Sequence, residues 1–389
     1  MQNQSLNERQ QHFLEGTLEQ LCQQLEITQT QFQDAEEKYK AVGAWLADSD
    51  LPHFNDCKIY PQGSMRLGTT VRPLGRDEFD IDLVVELILS ANSTDPKEVK
   101  QCVGIRLAER DAYEKILEEM NRCWRLNYAE SSKLHMDIMP CLPDTPGPNH
   151  SVHVPDKELR QFKQSNPEGY AKYFDDIASL EPDYAQRRLR EAAASIDPIP
   201  EMTPIRGTLR RIVQLSKRHR DLYFGDKRAK EKPISILLTT LLANTYGELL
   251  QSGRHKTQLE LIRLVINECE NYIEIIETNS GPEYWVRNPM NREENFAEKW
   301  NTHPERRKAF IEWKNSMVKT LENLTSLSGM DQLHEHLGKS FGESEANKVI
   351  NLNEKAYSKA REEGLLLSSS SGLGLSAGKR VQDNTFYGC

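Results

Sequence analysis

The chain has 389 residues, with 59 acidic and 50 basic side chains and a net charge of −9. Because proteins whose main task is gripping duplex nucleic acid usually carry a basic excess, this balance favours a small nucleotide or a metal-neutralised polyphosphate as partner. Seven scattered cysteines argue against a disulfide framework and a structural zinc site. With no secretion-signal layout and no apolar run of about 20 residues, the expectation is a reduced, cytoplasmic protein away from membranes.

The first half is predicted to combine a small sheet with flanking helices. Residues 6–47 carry apolar side chains at helical spacing and predict one or two helices. Strands are predicted at 57–60 and 79–87, and residues 123–140 predict two more strands around a Ser-Ser turn. Between them, Asp95 and Pro96 form the start of an amphipathic helix, because an acidic cap followed by proline is typical of helix N-termini.

The second half is predicted to be almost entirely helical. From Arg206 onward the helical pattern is interrupted by a loop at 278–295. After Gly364 the residues are small and polar without periodicity, which predicts a flexible tail.

Two aspartates stand at the head of an apolar strand. Asp80 and Asp82 alternate with apolar residues and therefore share one face. Taken alone, the pair also fits a solvated strand face. A Gln62-Gly63-Ser64 turn before a probable helix favours a phosphate site, since glycine permits close backbone approach and helix N–H groups bind anions.

A third carboxylate, Asp137, lies in another apolar strand. Three convergent carboxylates suit Mg²⁺, which prefers oxygen ligands and retains places for water and substrate phosphates. Two such ions can activate an attacking hydroxyl and neutralise a leaving pyrophosphate. The three aspartates are therefore candidate catalytic and metal-binding residues, with Mn²⁺ as the alternative ion.

These motifs carry a family resemblance. QGSMRLGT, DEFDIDLV and HMDIMP resemble the Gly-Ser, Asp-x-Asp and third-Asp motifs of the DNA polymerase beta nucleotidyltransferase superfamily. Within it, the pattern is most similar to the bacterial cGAS/DncV-like nucleotidyltransferases, or CD-NTases. The resemblance implies that Asp80 and Asp82 bind both metal ions, that Asp137 binds the catalytic one, and that Gln62, Gly63 and Ser64 hold phosphate.

The basic segment 206–243 offers two further candidates. Lys217 lies on a predicted helix whose opposite face is apolar, and Ser235 follows Pro233 at the start of the next helix. The plain alternatives are a solvated basic helix and an ordinary helix cap. The resemblance implies instead that Lys217 and Ser235 contact the donor triphosphate.

The resemblance also implies an α+β fold with a polymerase-beta-like lobe, a small mixed sheet and a helical C-terminal lobe. The expected division is N-terminal helices (1–47) packing on both lobes, a catalytic lobe (48–200), a helical lobe (201–364) and a flexible tail (365–389). The N-terminal helices would run as a spine along both lobes.

The implied function is synthesis of a cyclic di- or trinucleotide second messenger from nucleoside triphosphates in anti-phage (CBASS) signalling. The alternatives are a nucleotidyltransferase with a linear product and an inactive nucleotide-binding scaffold. Since no Cys/His cluster marks a DNA-reading insertion, activation by duplex DNA is not expected. The tail is compatible with conjugation by a ubiquitin-transfer-like partner or with a disordered end that has no role.

Overall fold

The structure is a computed structural model. It describes residues 8–75, 79–128, 134–144, 150–158, 160–182, 207–327, 330–362, 367–369, 372–374 and 379–380. Among the helices that it describes, none combines the length and apolar character that crossing a membrane requires.

Helices dominate both ends of the described chain. They are α1 (Glu8–Leu25), α2 (Gln29–Ala47), α3 (Gly63–Leu67), α4 (Pro96–Ala108), α5 (Asp111–Glu114), α6 (Pro167–Ala178), α7 (Thr208–Phe224), α8 (Ser235–Ser252), α9 (Gln258–Glu268), α10 (Glu298–Thr302), α11 (Pro304–Leu324), α12 (Met330–Phe341) and α13 (Glu343–Glu362). As predicted, α4 begins at Pro96, and the Asp95 side chain accepts a hydrogen bond from the Lys97 amide.

A mixed sheet forms the other layer. Its strands are β1 (Lys58–Gln62), β2 (Phe79–Glu86), β3 (Leu117–Glu119), β4 (Trp124–Asn127), β5 (Leu134–Pro143), β6 (Val152–Asp156) and β7 (Gln161–Ser165). The order is β1-β2-β5-β4-β3, with β6 and β7 extending from β5. The pair β2 and β5 is parallel, whereas β1 and β4 run antiparallel to their neighbours. This arrangement confirms the α+β prediction.

Besides a small cluster of Val84, Cys141, Val152 and Val154, two large apolar clusters organise the molecule. One lies against a single face of the sheet, where α2 and α4 cover residues of β2 such as Ile81, Leu83 and Val85. The other is helical and is formed mainly by α7, α8, α9 and α11, joined by α1 and α6. Because the sheet buries its odd-numbered β2 residues, the even-numbered Asp80 and Asp82 point to the opposite face.

The predicted loop at 278–295 is wrong. Two short antiparallel hairpins occupy this region, β8 (Glu274–Thr278) with β9 (Gly281–Trp285) and β10 (Arg287–Asn288) with β11 (Asn291–Asn295). Their strands are short and partly exposed, and none shows the strict apolar alternation that reveals a half-buried strand. An ion pair of 2.6 Å from Arg287 to Glu274 ties the two hairpins together.

The tail is less irregular than the sequence predicts. Three short strands, β12 (Leu367–Ser369), β13 (Gly372–Gly374) and β14 (Lys379–Arg380), form a small antiparallel sheet. The terminal residues, including Gly388 and Cys389, lie outside the described residues.

Candidate active site

The centre of the candidate site is a row of four side chains across neighbouring strands. The register pairs Asp82 of β2 with Gln62 of β1 and with Asp137 of β5. On β4, Arg125 is paired with Asp137. Since paired residues of adjacent strands point to the same face, the fold brings Gln62, Asp82 and Asp137 together at one place.

Gly63 lies directly beneath the Asp82 carboxylate. Its φ is +66°, and a Cβ atom at this position would lie 1.8 Å from Oδ2 of Asp82. Both the left-handed backbone and the close approach therefore require glycine. The neighbouring Gln62 donates from its amide to Sδ of Met139 at 3.7 Å.

Asp82 has a strongly perturbed acidity. Burial raises its pKa to about 7, and the nearby carboxylates of Asp80 and Asp137 act in the same direction. The positive charge of Lys217 opposes this shift without cancelling it.

The two outer carboxylates are each paired with a cationic side chain. Arg125 binds both oxygens of Asp137, at 2.7 and 2.8 Å. His135 pairs with Asp80. Although desolvation opposes ionisation of Asp80, the hydrogen bond from His135 and the positive charges of His135, Arg125 and Lys217 together lower the pKa of that carboxyl. Neither Arg125 nor His135 was identified from the sequence, because each faces its aspartate only through the strand register.

Lys217 reaches this cleft from α7. Its ammonium donates to the backbone carbonyl of Thr69 at 3.0 Å, and the side chain is only 7% exposed. Burial and the charge of Arg220 lower the pKa of Lys217 to about 8, although Asp80 and Asp82 favour the protonated form. The solvated-helix alternative is therefore wrong for this face.

Ser64 and Ser235 both lie in the first turn of a helix. Ser64 is the second residue of α3, and its hydroxyl accepts a hydrogen bond from Thr70 at 3.4 Å. Ser235 is the first residue of α8, where it accepts from Arg220 at 3.0 Å and makes no capping bond. Arg220 also binds Asp221 at 2.7 Å, so Ser235 is linked to the same polar helix face as Lys217.

Comparisons with known proteins place this cleft in a family. Residues 14–177 match the family described as the Second Messenger Oligonucleotide or Dinucleotide Synthetase domain. CdnG of Bradyrhizobium diazoefficiens in complex with GTP has a similar fold, with a TM-score of 0.65, 20% identity and coverage of 88% of this chain and 99% of that one. For E. coli CdnC with ATP, the TM-score is 0.58 at 17% identity, with coverage of 84% and 97%.

A curated protein from Roseivirga ehrenbergii, named c-di-GMP synthase, is 31% identical over 381 residues. The alignment covers 96% of this chain and 97% of that relative. The chain belongs to the CD-NTase family. The resemblance drawn from the three sequence motifs is therefore confirmed, together with the polymerase-beta-like α+β fold and the enzyme class, a nucleotidyltransferase that synthesises cyclic nucleotides.

The CD-NTase cleft has the donor chemistry of a divalent-cation site. In the described part of the chain, no three His, Cys, Asp or Glu side chains are already gathered as a ligand cluster, and Arg125 and His135 bind the outer carboxylates. The central Asp82 instead lies among like charges with its pKa raised to about 7. A cation would relieve the repulsion at Asp82, and carboxylate oxygens are the ligands that a hard divalent ion prefers, so the residues fit such an ion.

This shift predicts that Mg²⁺ stabilises the CD-NTase more at pH 8 than at pH 6. The pKa of Asp82 is about 7 in the metal-free folded state, against an ordinary aspartate pKa of 3.8. The folded state thus keeps a proton that the unfolded chain has lost, and this contribution to metal-free stability falls as the pH rises from about 4 to 7. At pH 8 the carboxylate is free to bind the ion, whereas at pH 6 the ion competes with a proton.

Thermal melts with and without Mg²⁺ at both pH values measure this effect. In Asp82→Asn the difference between the two pH values should largely disappear. An equal Mg²⁺-induced shift at pH 6 and pH 8 in the wild type would contradict the expectation.

Proposed function

We propose that this CD-NTase joins two molecules of GTP into cyclic di-GMP. The observation that carries the proposal is the alignment, over nearly the whole length of both chains, with a protein named c-di-GMP synthase. The cleft supports it by combining acidic side chains with a glycine turn and a buried lysine, which are the groups that phosphoryl transfer from a triphosphate needs.

In this proposal Asp80, Asp82 and Asp137 hold two Mg²⁺ ions, with Mn²⁺ as a substitute. When bound, the ions neutralise the triphosphate and make an attacking hydroxyl more acidic. The close approach of Gly63 to Asp82 keeps the turn Gln62-Gly63-Ser64, called the phosphate turn below, beside the carboxylates. Arg125 and His135 hold Asp137 and Asp80 in place until that site is filled.

The remaining predicted residues would hold the donor triphosphate. Gln62, Gly63 and Ser64 form the turn on the sheet side, and Lys217 lies on the helical side with its ammonium fixed by the Thr69 carbonyl. With a pKa of about 8, Lys217 is mostly protonated at neutral pH, and a phosphate would favour that form further. Ser235 would add a hydroxyl at the start of α8.

The reaction consists of two equivalent transfers. A ribose hydroxyl of one GTP attacks the α-phosphorus of the other, a P–O bond forms, and the α–β phosphoanhydride bond breaks to release pyrophosphate. The hydroxyl proton passes to Asp137, which is released from Arg125. A second transfer within the linear product closes the ring and releases a second pyrophosphate.

A product assay tests the proposal. The purified chain is incubated with each of the four nucleoside triphosphates and with their mixture in Mg²⁺ or Mn²⁺, and phosphatase-treated products are identified by mass. The expected result is a phosphatase-resistant ring of two guanylates from GTP alone, at a rate unchanged by duplex DNA. A ring containing other bases would contradict the GTP assignment, and phosphatase-sensitive oligomers would favour the linear-product alternative.

The cellular role is part of the same proposal. We place the reaction in the cytoplasm, where nucleoside triphosphates are available, and assign the product to anti-phage signalling. Phage plaque counts on hosts carrying the wild type or Asp82→Asn test this role, and equal counts would contradict it.

The C-terminal tail is given a separate test. If a ubiquitin-transfer-like partner conjugates the tail, the C-terminal peptide should carry an adduct, and intact-mass analysis of protein from the native host would reveal it.

A further inference from the structure

The segment that follows the phosphate turn is attached to the helical part of the molecule by side chains from one face of α7. Four donors of this face bind four backbone carbonyls of residues 67–72. The pairs are Arg210 with Leu67 at 2.9 Å, Gln214 with Thr70 at 3.1 Å, Lys217 with Thr69 at 3.0 Å and Arg218 with Arg72 at 2.7 Å. Residues separated by three, four, seven and eight positions share a helix face, so a single helix meets this irregular segment.

Gln214 is the member of this face that leads back to the phosphate turn. Its amide nitrogen donates to the Thr70 carbonyl, while the Thr70 hydroxyl donates to the Ser64 hydroxyl at 3.4 Å. In addition, the Thr69 amide donates to the Ser64 carbonyl at 2.9 Å. The position of Thr70 thus determines where the Ser64 hydroxyl points.

The orientation of Gln214 is itself determined by its neighbours. The side chain is 3% exposed, and its amide oxygen accepts from Arg211 at 3.0 Å, which directs the amide nitrogen towards Thr70. Arg211 is in turn held by Glu19 of α1 at 2.8 Å and by Glu26. A continuous polar chain therefore runs from the N-terminal helix to Ser64.

We propose that Gln214 and Thr70 are positioning residues for the triphosphate, acting through the Ser64 hydroxyl. This inference rests on the proposed role of Ser64 in binding the donor nucleotide. A hydroxyl whose rotation is already restricted loses less entropy when it donates to a phosphate oxygen. Without the bond from Gln214, the carbonyl of the half-buried Thr70 would lose its donor and the loop would shift to find another.

The contrasting explanation is that these bonds only attach the segment to α7. Under that explanation, their loss would lower the melting temperature and weaken every nucleotide equally. A positioning role instead predicts a loss that depends on the terminal phosphates, because Ser64 would contact only those.

The test compares binding of a non-hydrolysable GTP analogue and of GMP by calorimetry in Mg²⁺. Thr70→Val removes the hydroxyl while keeping the shape, and Thr70→Ser retains it. We expect Thr70→Val to weaken the GTP analogue about five- to tenfold, the effect of one hydrogen bond, and to leave GMP within about twofold. Thr70→Ser should bind like the wild type.

Gln214→Met and Gln214→Glu form the second pair. Both lose the donor to Thr70, but the glutamate keeps its bond to Arg211, so equal losses for the GTP analogue would show that the donor matters rather than the packing. Thr245→Val is the matched control, because Thr245 is buried and its hydroxyl donates to the Leu241 carbonyl within α8. It should leave both affinities unchanged.

Two results would overturn the inference. One is wild-type affinity for the GTP analogue in Thr70→Val and Gln214→Met, and the other is an equal loss for the analogue and for GMP. The proposed function fails in a different way. It would be contradicted if the wild type bound no analogue of any of the four triphosphates, whereas the two results above concern only the variants.

Discussion

Replacing Asp80 and Asp82 together by Asn is expected to reduce product formation by at least about a thousandfold while leaving the fold intact. The loss follows because amide groups lack the negative charge needed to hold the two proposed cations, whose electrostatic stabilisation of the leaving pyrophosphate would be a large part of catalysis. Stability should change little, because removing the like charges that raise the pKa of Asp82 offsets the loss of the ion pair between Asp80 and His135. Product is measured by mass, and folding by circular dichroism and thermal melts.

Asp95→Asn is the matched control for this variant. Asp95 also lies in the sheet-containing half, and Asn is as good an N-cap as Asp, so activity and stability should both be retained. A correctly folded double variant that still forms product would refute the assignment of these two carboxylates to the metal site.

Replacing Gly63 by Ala is expected to lower product formation by at least about a hundredfold. An added Cβ would lie 1.8 Å from the Asp82 carboxylate, and the φ of +66° is unfavourable for any L side chain. The turn or the aspartate has to move, and displacement of a catalytic group by about 1 Å can reduce the rate by about a hundredfold. Steady-state rates with GTP measure the effect.

Gly253→Ala separates backbone strain from contact with the carboxylate. Gly253 has a φ of +63°, close to that of Gly63, but nothing lies within 4 Å of the position that its Cβ would occupy. The control should lose about 1 kcal/mol of stability with unchanged activity. If Gly63→Ala behaves in the same way, the close approach to Asp82 has no catalytic consequence.

Features that depend on a few neighbouring residues were predicted well from the sequence. The strand predicted at 79–87 is β2, Phe79–Glu86, and the helix predicted to open at Asp95 and Pro96 begins at Pro96. Both depend on local rules, side-chain alternation in one case and helix capping in the other. The hairpins of 274–295 were missed because short, partly exposed strands carry no such local pattern.

In the candidate site too, the features that depend on neighbouring residues could be predicted, and those that depend on distant residues could not. The shared face of Asp80 and Asp82 and the need for glycine in the turn follow from the sequence, because each depends on the backbone within a few residues. The roles of Gln62, Ser64, Lys217 and Ser235 in nucleotide binding remain predictions. The structure adds their positions relative to the carboxylates.

The family motifs, the strands β1, β2, β4 and β5, the start of α4 and the alternation that turns the aspartates away from the apolar core could be predicted from the sequence. Which residues face the aspartates, and the strands β3, β6 and β7, became known from the tertiary structure. The pairing of Asp137 with both Asp82 and Arg125 depends on strand register, and the link from Gln214 through Thr70 to Ser64 joins residues 144 and 6 positions apart. Such contacts arise from how distant segments pack, which local propensity does not encode.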